Sequence, residues 1–338
     1  MQKVLLGLSG GIDSSYSAYL LQQQGFEVEG VYMILHDRGT NYHEDNIARV
    51  EKISKDLNIK YHILDLKDKF SEFVFNPFIQ TYIDGKTPNP CAICNRHIKF
   101  GAMYEFAKSL GIDKLATGHY LKNDGKFLYQ ARDKSKDQSY FLFNIDKNIL
   151  KDLIFPLGNF LKEEVKAKAK EIEVLRDIAV SKESNDICFV DNSYTDILSE
   201  FTEPNKNGKV IKDGEVVGTH KGYMHYTIGK RRGFTYEAGQ TPHYVTKIIA
   251  EKNQIEIGEY ENLKVTKILA RDLNMFIDEL EFKASVKIRY RSKKIECNVK
   301  IIDGIAHIEL SKPVYGVAPS QASVFYDGEK LLGGGWII

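Results

Sequence analysis

Val4-Leu5-Leu6-Gly7-Leu8-Ser9-Gly10-Gly11-Ile12-Asp13-Ser14-Ser15 opens on a short apolar run, turns at paired glycines and ends in hydroxyls. A run of this length bounded by Ser9-Gly10-Gly11 reads as a buried strand. Asp13 is placed to cap a helix that continues through Tyr16, Tyr19, Leu20 and Leu21 until Gly25 stops it. Outward from this unit the alternation repeats. Residues 28–35 read as a strand, 45–57 as an amphipathic helix, 61–64 as a third strand, 98–110 as a helix and 114–117 as a fourth strand. That order predicts an α/β fold whose N-terminal part is a doubly wound parallel sheet, with ligands at the carboxyl ends of the strands.

The pattern changes after about residue 195. Asn205-Lys206-Asn207-Gly208 and Lys212-Asp213-Gly214 are turn signals around the short runs Val210-Ile211 and Val216-Val217. From about residue 260 the chain reads almost entirely as β-structure. Phe282, Ala284, Val286, Ile288 and Tyr290 alternate with polar residues, and Asp303-Gly304 and Asp327-Gly328 suit tight hairpins. A small β-barrel or sandwich is the natural reading of this end, and the expected division is 1–195 for the catalytic domain, 196–259 for a small central domain and 260–338 for a C-terminal β-barrel.

With 338 residues, 43% hydrophobic and 28% charged, the composition suits two or three globular domains. The apolar run at the N-terminus is too short for a signal peptide, and no later run is long enough to span a bilayer. A soluble, cytoplasmic protein with no membrane partner is expected. Four cysteines are too few for a disulfide framework, so a cysteine that matters here is catalytic or a ligand. A net charge of +1 does not suggest a nucleic-acid partner. Two cation-dense stretches tilt the balance toward a polyanion: Gly229-Lys230-Arg231-Arg232-Gly233, and Lys287-Ile288-Arg289-Tyr290-Arg291-Ser292-Lys293-Lys294. Taken alone, either is most simply a solvated surface.

The stretch from Ser9 to Ser15 lies where a phosphate loop belongs. Its glycines let the backbone approach an anion, and the helix N-terminus offers N–H groups and a positive dipole end. No Gly-Lys-Ser/Thr follows, which argues against transfer of the terminal phosphoryl group. The stretch instead resembles the Ser-Gly-Gly-x-Asp-Ser loop of ATP pyrophosphatases (PP-loop, adenine nucleotide alpha hydrolase-like enzymes), which split ATP between the α- and β-phosphates and attach AMP to an oxygen. Asp13 beside phosphates makes sense as an oxygen ligand for magnesium.

Thr87-Pro88-Asn89-Pro90-Cys91-Ala92-Ile93-Cys94-Asn95-Arg96 is a proline-braced loop leading into a helix. Cys94 falls near that helix's N-terminus, where the dipole favours thiolate and suits a sulfur nucleophile. Cys188 lies about ninety residues on, in another turn-rich segment. Cys297 shares a strand face with Ile295 and Val299 and reads as a packing cysteine. By spacing alone, Cys91-x-x-Cys94 is a redox pair, half a metal site or coincidence.

Over its whole length the chain resembles the bacterial tRNA-specific 2-thiouridylases. The segments that carry the resemblance include Gly7 to Ser15, the Thr-Pro-Asn-Pro loop with Cys94-Asn95, and Ala116-Thr117-Gly118-His119-Tyr120. It continues through Lys136-Asp137-Gln138-Ser139-Tyr140-Phe141-Leu142, Phe155-Pro156-Leu157-Gly158, Glu183 to Phe189, Tyr226-Thr227-Ile228-Gly229, Ile288-Arg289-Tyr290-Arg291 and Ser320-Gln321-Ala322-Ser323. The resemblance implies that Gly7, Leu8, Ser9, Gly10, Gly11, Ile12, Asp13 and Ser14 hold ATP phosphates, with Met33 and Gly118 lining the nucleotide pocket. It implies that Cys188 carries a persulfide received from a sulfur-relay protein and that Cys94 is the partner thiol. Asn89, Pro90 and Cys91 would face the target base in the anticodon loop of a tRNA. His119, Lys136, Asp137, Gln138, Arg289, Tyr290 and Gln321 would contact the tRNA. Arg289 and Tyr290 are expected on opposite faces of a strand, so one of them is a candidate for a structural role.

Many members of that family have an aspartate where this chain has Cys91. The change leaves Cys91, Cys94 and Cys188 as candidate ligands of a [4Fe–4S] cluster, with a non-ligating Cys91 as the plainer alternative. The chemistry implied is adenylation of the uridine C2 oxygen, then attack by sulfur, leaving a Cys94–Cys188 disulfide for later reduction. A small-molecule adenylating enzyme would leave the cysteines unexplained. A tRNA-binding protein without catalysis would leave the phosphate loop unexplained.

Overall fold

The computed structural model describes residues 1–37, 41–179, 187–190, 192–236 and 242–338. Two units are distinguished. The first comprises Met1–Val74, Cys91–Phe189 and Gly328–Leu332, and the second Phe75–Pro90, Val190–Asp327 and Gly333–Ile338.

The first unit is built on a five-stranded sheet in the order Lys60–Asp65, Glu27–Ile34, Lys3–Gly7, Lys114–Ala116, Leu153–Ile154. Every pairing in it is parallel, with Val4 opposite Val28 and Leu5 opposite Leu115. Side chains alternate across a strand, so Val4, Leu6 and Leu8 share one core with Ala18 and Leu21 of the helix Ile12–Gln23 and Val50 of the helix Tyr42–Asp56. Gly7 faces the other way, and a Cβ there would meet Met103 Sδ at 3.4 Å, which puts the helix Met103–Ser109 on the opposite face. The sheet is therefore doubly wound, as expected. Lys3–Gly7 is its central strand, and the chain leaves it in opposite directions on its two sides, so the loop after it stands at the topological switch point. A hairpin of Leu121–Asn123 and Leu128–Gln130 completes the unit, with Tyr129 paired to Lys330.

The second unit holds two β-structures. One sheet runs Phe234–Tyr236, Glu215–His220, Gly208–Lys212, Gln254–Gly258, Tyr244–Ile249 around a core of Val210, Tyr226, Val245, Ile255 and Ile257. The other is a six-stranded barrel closed by pairing of Lys264–Met275 with Lys330–Ile337. The Asp303-Gly304 turn has φ of +50° and +77°, the left-handed pair a two-residue hairpin needs. Cys297 is buried opposite Ala284 and Leu310, a packing residue as read.

Two local expectations are corrected. Asp13 does not cap its helix. Gly11 is the N-cap, without a side-chain cap, and Ser14 and Ser15 donate their hydroxyls to the Gly11 carbonyl at 3.0 and 2.9 Å. The strand Glu281–Lys287 ends before Arg289 and Tyr290, which sit in a turn closed by Ser292. The Ser292 hydroxyl accepts from the Ile288 and Arg289 N–H groups and donates to the Arg289 carbonyl at 2.9 Å, which diverts the chain out of the ladder.

Candidate active site

The loop after the central strand is shaped by its own serines. The Ser9 N–H donates to Ser14 Oγ at 3.2 Å, and the two hydroxyls lie 3.2 Å apart. Gly10 has a φ of +79°, and Leu8 places its side chain in the core, so only its backbone is offered at the loop. Gly118 stands at the end of the neighbouring strand, where a Cβ would lie 3.0 Å from Asp13 C and Ser14 N. No side chain fits there, and the close approach walls the loop on one side. Met33 lies at the carboxyl end of Glu27–Ile34, opposite Leu64. With an uncapped helix N-terminus, converging hydroxyls and glycine backbone, the donor set suits phosphate oxygens.

Asp13 is already engaged. Lys162 Nζ reaches both its oxygens at 2.7 Å, and the Tyr120 hydroxyl donates to Oδ1 at 2.8 Å. Sequence reading missed Lys162 and Tyr120. The available signal was a lysine at the first position of the helix Lys162–Glu171, where the dipole disfavours a cation and a carboxylate partner is needed.

Cys94 ends a helical turn Pro90–Cys94 that runs on into a wide π-helical stretch, Asn95–Ala102. The helix therefore begins earlier than residue 98 and contains Cys94. Asn95 donates to the Phe141 carbonyl at 3.0 Å, and Arg96 to the carbonyl and Oδ1 of Asn144 at 3.0 Å, which fixes the start of the helix. The expected lowering of the Cys94 thiol is reversed: burial pushes it up to about 12, Lys99 opposes this, and Cys188 and Cys91 add to it. Desolvation shifts a buried thiol by several units, whereas a helix dipole contributes only about 0.3–1 kcal/mol. Lys99 is a third residue that sequence reading missed.

Cys188 is exposed, yet neighbouring protein atoms desolvate its thiol in part. This desolvation pushes the thiol up, while Lys99 and the N–H groups of Cys188 and Phe189 pull it down. Because water reaches the residue, its exposure is the governing fact and limits the desolvation. Residues 183–186 of its segment lie outside the described residues.

His119 is only 8% exposed, and burial, reinforced by Lys99, holds its imidazole well below the ordinary range. Lys99 Nζ donates to its Nε2 at 3.4 Å, so the proton sits on Nδ1 and goes to Thr117 Oγ1 at 2.8 Å. Lys99 thus links Cys94, Cys188 and His119, with Cys91 near enough to act on Cys94, and Gly118, the residue before His119, packs on Asp13 and Ser14 of the phosphate loop.

Several residues expected at the tRNA are committed to the protein. Asp137 is buried and accepts from Gln130 Nε2, the Ala131 N–H and the Ser139 hydroxyl. Gln138 Oε1 accepts from the Tyr120 N–H at 2.9 Å. Arg289 donates to the carbonyls of Ile228 and Gly316, and Gln321 to those of Thr87 and Pro88. Of the two cationic stretches, Arg231, Arg232, Arg291 and Lys293 are exposed. Lys230 is tied to the His225 carbonyl at 2.6 Å, and Lys287 is buried against the Tyr290 ring. Lys136 is half-buried.

The family described as tRNA methyl transferase HUP domain matches residues 2–192. The tRNA methyl transferase PRC-barrel domain matches 195–259 and the aminomethyltransferase beta-barrel domain 265–337. The tRNA-specific 2-thiouridylase MnmA of a Nitratiruptor species is 54% identical over 338 residues, covering 100% of this chain and 99% of that protein. This chain belongs to the tRNA-specific 2-thiouridylase family. The 2-thiouridylases of Sulfurimonas denitrificans and Campylobacter jejuni are 53% and 52% identical, each over 99% of this chain and at least 98% of their own length. As a 2-thiouridylase the chain is a tRNA sulfurtransferase, and membership implies the use of ATP. Among its described residues no helix is long and apolar enough to cross a membrane.

Proposed function

We propose that this 2-thiouridylase uses ATP to adenylate the C2 oxygen of the wobble uridine and then replaces that oxygen with sulfur carried on Cys188. The observation behind the reading is the grouping of Cys91, Cys94, Cys188 and Lys99 in the unit that carries the phosphate loop. Gly7 to Ser14 would hold the ATP phosphates, with Met33 and Gly118 beside the nucleotide. The uridine oxygen attacks the α-phosphorus, and the bond to the β-phosphate breaks to release pyrophosphate. N–H and hydroxyl donors fixed in advance stabilise the charge that develops there.

Sulfur then follows one of two balanced routes. In the first, the terminal sulfur of the Cys188 persulfide attacks C2, AMP leaves, and the Cys94 thiolate breaks the remaining link to give a Cys94–Cys188 disulfide. In the second, Cys94 first attacks the persulfide and releases sulfide, which attacks C2. Either route needs Cys94 deprotonated, and burial makes that costly; the Lys99 cation offsets part of the cost. The disulfide is later reduced by an external thiol.

Magnesium would supply charge neutralisation at the phosphates, with Asp13 as its ligand once Lys162 has moved off the carboxylate. Among the described residues no three His, Cys, Asp or Glu side chains stand close enough to hold a metal ion, so Cys91, Cys94 and Cys188 do not fit a [4Fe–4S] cluster as they stand. Iron content and visible absorbance of anaerobically prepared protein decide whether Cys91, Cys94 and Cys188 take one up. The exposed Arg231, Arg232, Arg291 and Lys293, with Lys136, would meet tRNA phosphates. Asn89, Pro90 and Cys91 would face the base. His119, Asp137, Gln138, Arg289 and Tyr290 would act through the loops they brace. We assign 1–195 to catalysis, 196–259 to a central tRNA-binding domain and 260–338 to the barrel, and place the reaction in the cytoplasm with a persulfide-delivering relay protein. Nucleoside mass spectrometry on unmodified tRNA incubated anaerobically with protein, ATP, magnesium and sulfide should reveal 2-thiouridine. ATP cleaved to AMP without it would overturn the substrate or sulfur assignment.

A further inference from the structure

Segment Phe75–Pro90 leads directly into the Pro90–Cys94 turn, yet it is packed with the second unit rather than the first. Its helix Asn76–Ile83 is held by aromatic rings: Tyr82 stacks on Tyr194 with centroids 4.5 Å apart and planes within 8°, and Phe75 meets Phe201 edge-on at 5.6 Å. The Tyr223 hydroxyl donates to the Ile83 carbonyl at 2.6 Å. A Cβ at Gly85 would lie 2.9 Å from Ile248 Cγ2, so the turn after the helix is pressed onto the central sheet.

Beyond Gly85 the chain is less able to brace itself. Pro88 and Pro90 have no N–H to give, so Thr87-Pro88-Asn89-Pro90 can bond internally only through half of its backbone donors. Gln321 supplies the missing donors. Its Nε2 lies 3.0 Å from the Thr87 carbonyl and 3.0 Å from the Pro88 carbonyl, and two carbonyl partners require the nitrogen at that position. Both amide hydrogens are thereby engaged, which leaves only Oε1, an acceptor poorly suited to a phosphate backbone. Gln321 is itself fixed. Its carbonyl accepts from the Ile337 N–H at 2.9 Å, its N–H donates to Ala318 at 3.3 Å, and the preceding Ser320 has a φ of +67° with its N–H on the Ile337 carbonyl.

We propose that Gln321 is a positioning residue: its amide clamps the Thr87 and Pro88 carbonyls and so orders the loop Thr87-Pro88-Asn89-Pro90, which runs on in sequence into Cys91. The proposal rests on the reading that Cys94 acts in sulfur transfer. A base that faces Asn89 and Pro90 would meet a loop already ordered by Gln321, whose own amide hydrogens are spent on that loop.

The test uses the full chain with Q321A and with Q321E, whose carboxylate offers no donor and repels the carbonyls. Three quantities are read: hydrogen exchange of amides in 85–95, affinity for unmodified tRNA, and the single-turnover thiolation rate at saturating tRNA. In both variants, exchange in 85–95 should quicken and the saturating rate fall, each about tenfold for two lost hydrogen bonds. Affinity for tRNA should hold in Q321A. Weakened tRNA binding with exchange and saturating rate unchanged would make Gln321 an RNA contact and overturn the proposal. Faster exchange with an unchanged saturating rate would overturn it too. Exchange is measured without ATP or tRNA, so a failure of the sulfur-transfer reading shows separately as a wild-type chain that makes no 2-thiouridine.

Discussion

Lys162 Nζ stands 2.7 Å from both carboxylate oxygens of Asp13, joining the N-terminal turns of two helices 149 residues apart in sequence. The two ends of the pair are unequal. The Lys162 side chain is 9% exposed, whereas that of Asp13 is 34% exposed. D13A strands a buried ammonium, while K162M leaves a carboxylate that water still reaches. D13A should therefore lower the unfolding free energy more, by about 1–3 kcal/mol. In the double variant the cost should be less than the sum. Urea denaturation of the three proteins checks this: equal single costs would remove the asymmetry, and costs that add in full would remove the pair as a structural element. K162M should also slow pyrophosphate release on tRNA, because the cation beside the phosphate loop is lost.

Cys94→Ser and Cys188→Ser should each abolish 2-thiouridine formation while tRNA-dependent pyrophosphate release survives. Adenylation uses the phosphate loop and sulfur transfer uses the cysteines. Loss of pyrophosphate release in either variant would mean the two steps are not separable as drawn.

Lys99 draws the Cys188 and Cys94 thiols downward against the burial that raises them. Removing the cation leaves the upward push unopposed, so K99M should have less thiolate at neutral pH. Alkylation of Cys188 by iodoacetamide at pH 7, followed by peptide mass spectrometry, should slow in K99M and be largely restored in K99R. An unchanged rate would show that Lys99 does not reach the sulfur.

Glu29 reports on acid stability. Burial pushes its carboxyl up, but hydrogen bonds from His62 and Lys3, with the charge of Lys60, outweigh that and hold it below the usual range. A lowered folded pKa contributes stability above the unfolded carboxylate range and loses it as pH falls through the folded value. E29Q should be less stable than the natural chain at pH 7, with the difference shrinking toward pH 3. Unfolding midpoints measured across that interval check it, and parallel curves would exclude the linkage.

Much of the first unit was legible because the opening motif combines a strand-length apolar run, glycines and a helix start, and these local signals agree. Cys297 was legible for a similar reason, since strand alternation alone assigns its face. What escaped depends on distance. Nothing near Asp13 announces Lys162, and nothing near Thr87 announces Gln321. The Cys94 thiol was read with the wrong sign because the helix end is visible in sequence and its burial is not. Arg289 was placed on a strand because the apolar alternation runs on through Tyr290, while one hydroxyl, that of Ser292, turns the chain aside. The fate of the segment Phe75–Pro90 was hidden for the same reason: its partners Tyr194, Tyr223 and Gln321 lie more than a hundred residues away.

Glu329 bridges Lys122 and Lys134 at 2.7 and 2.5 Å, its carbonyl accepts from the Gln130 N–H, and Lys330 covers the Phe127 ring. During synthesis the hairpin around residues 121–130 emerges from the ribosome some two hundred residues ahead of these partners. The first unit therefore waits for a segment some two hundred residues further on before its own surface is complete. A nascent chain stalled before residue 328 would hold a phosphate loop and a cysteine helix on an unfinished frame.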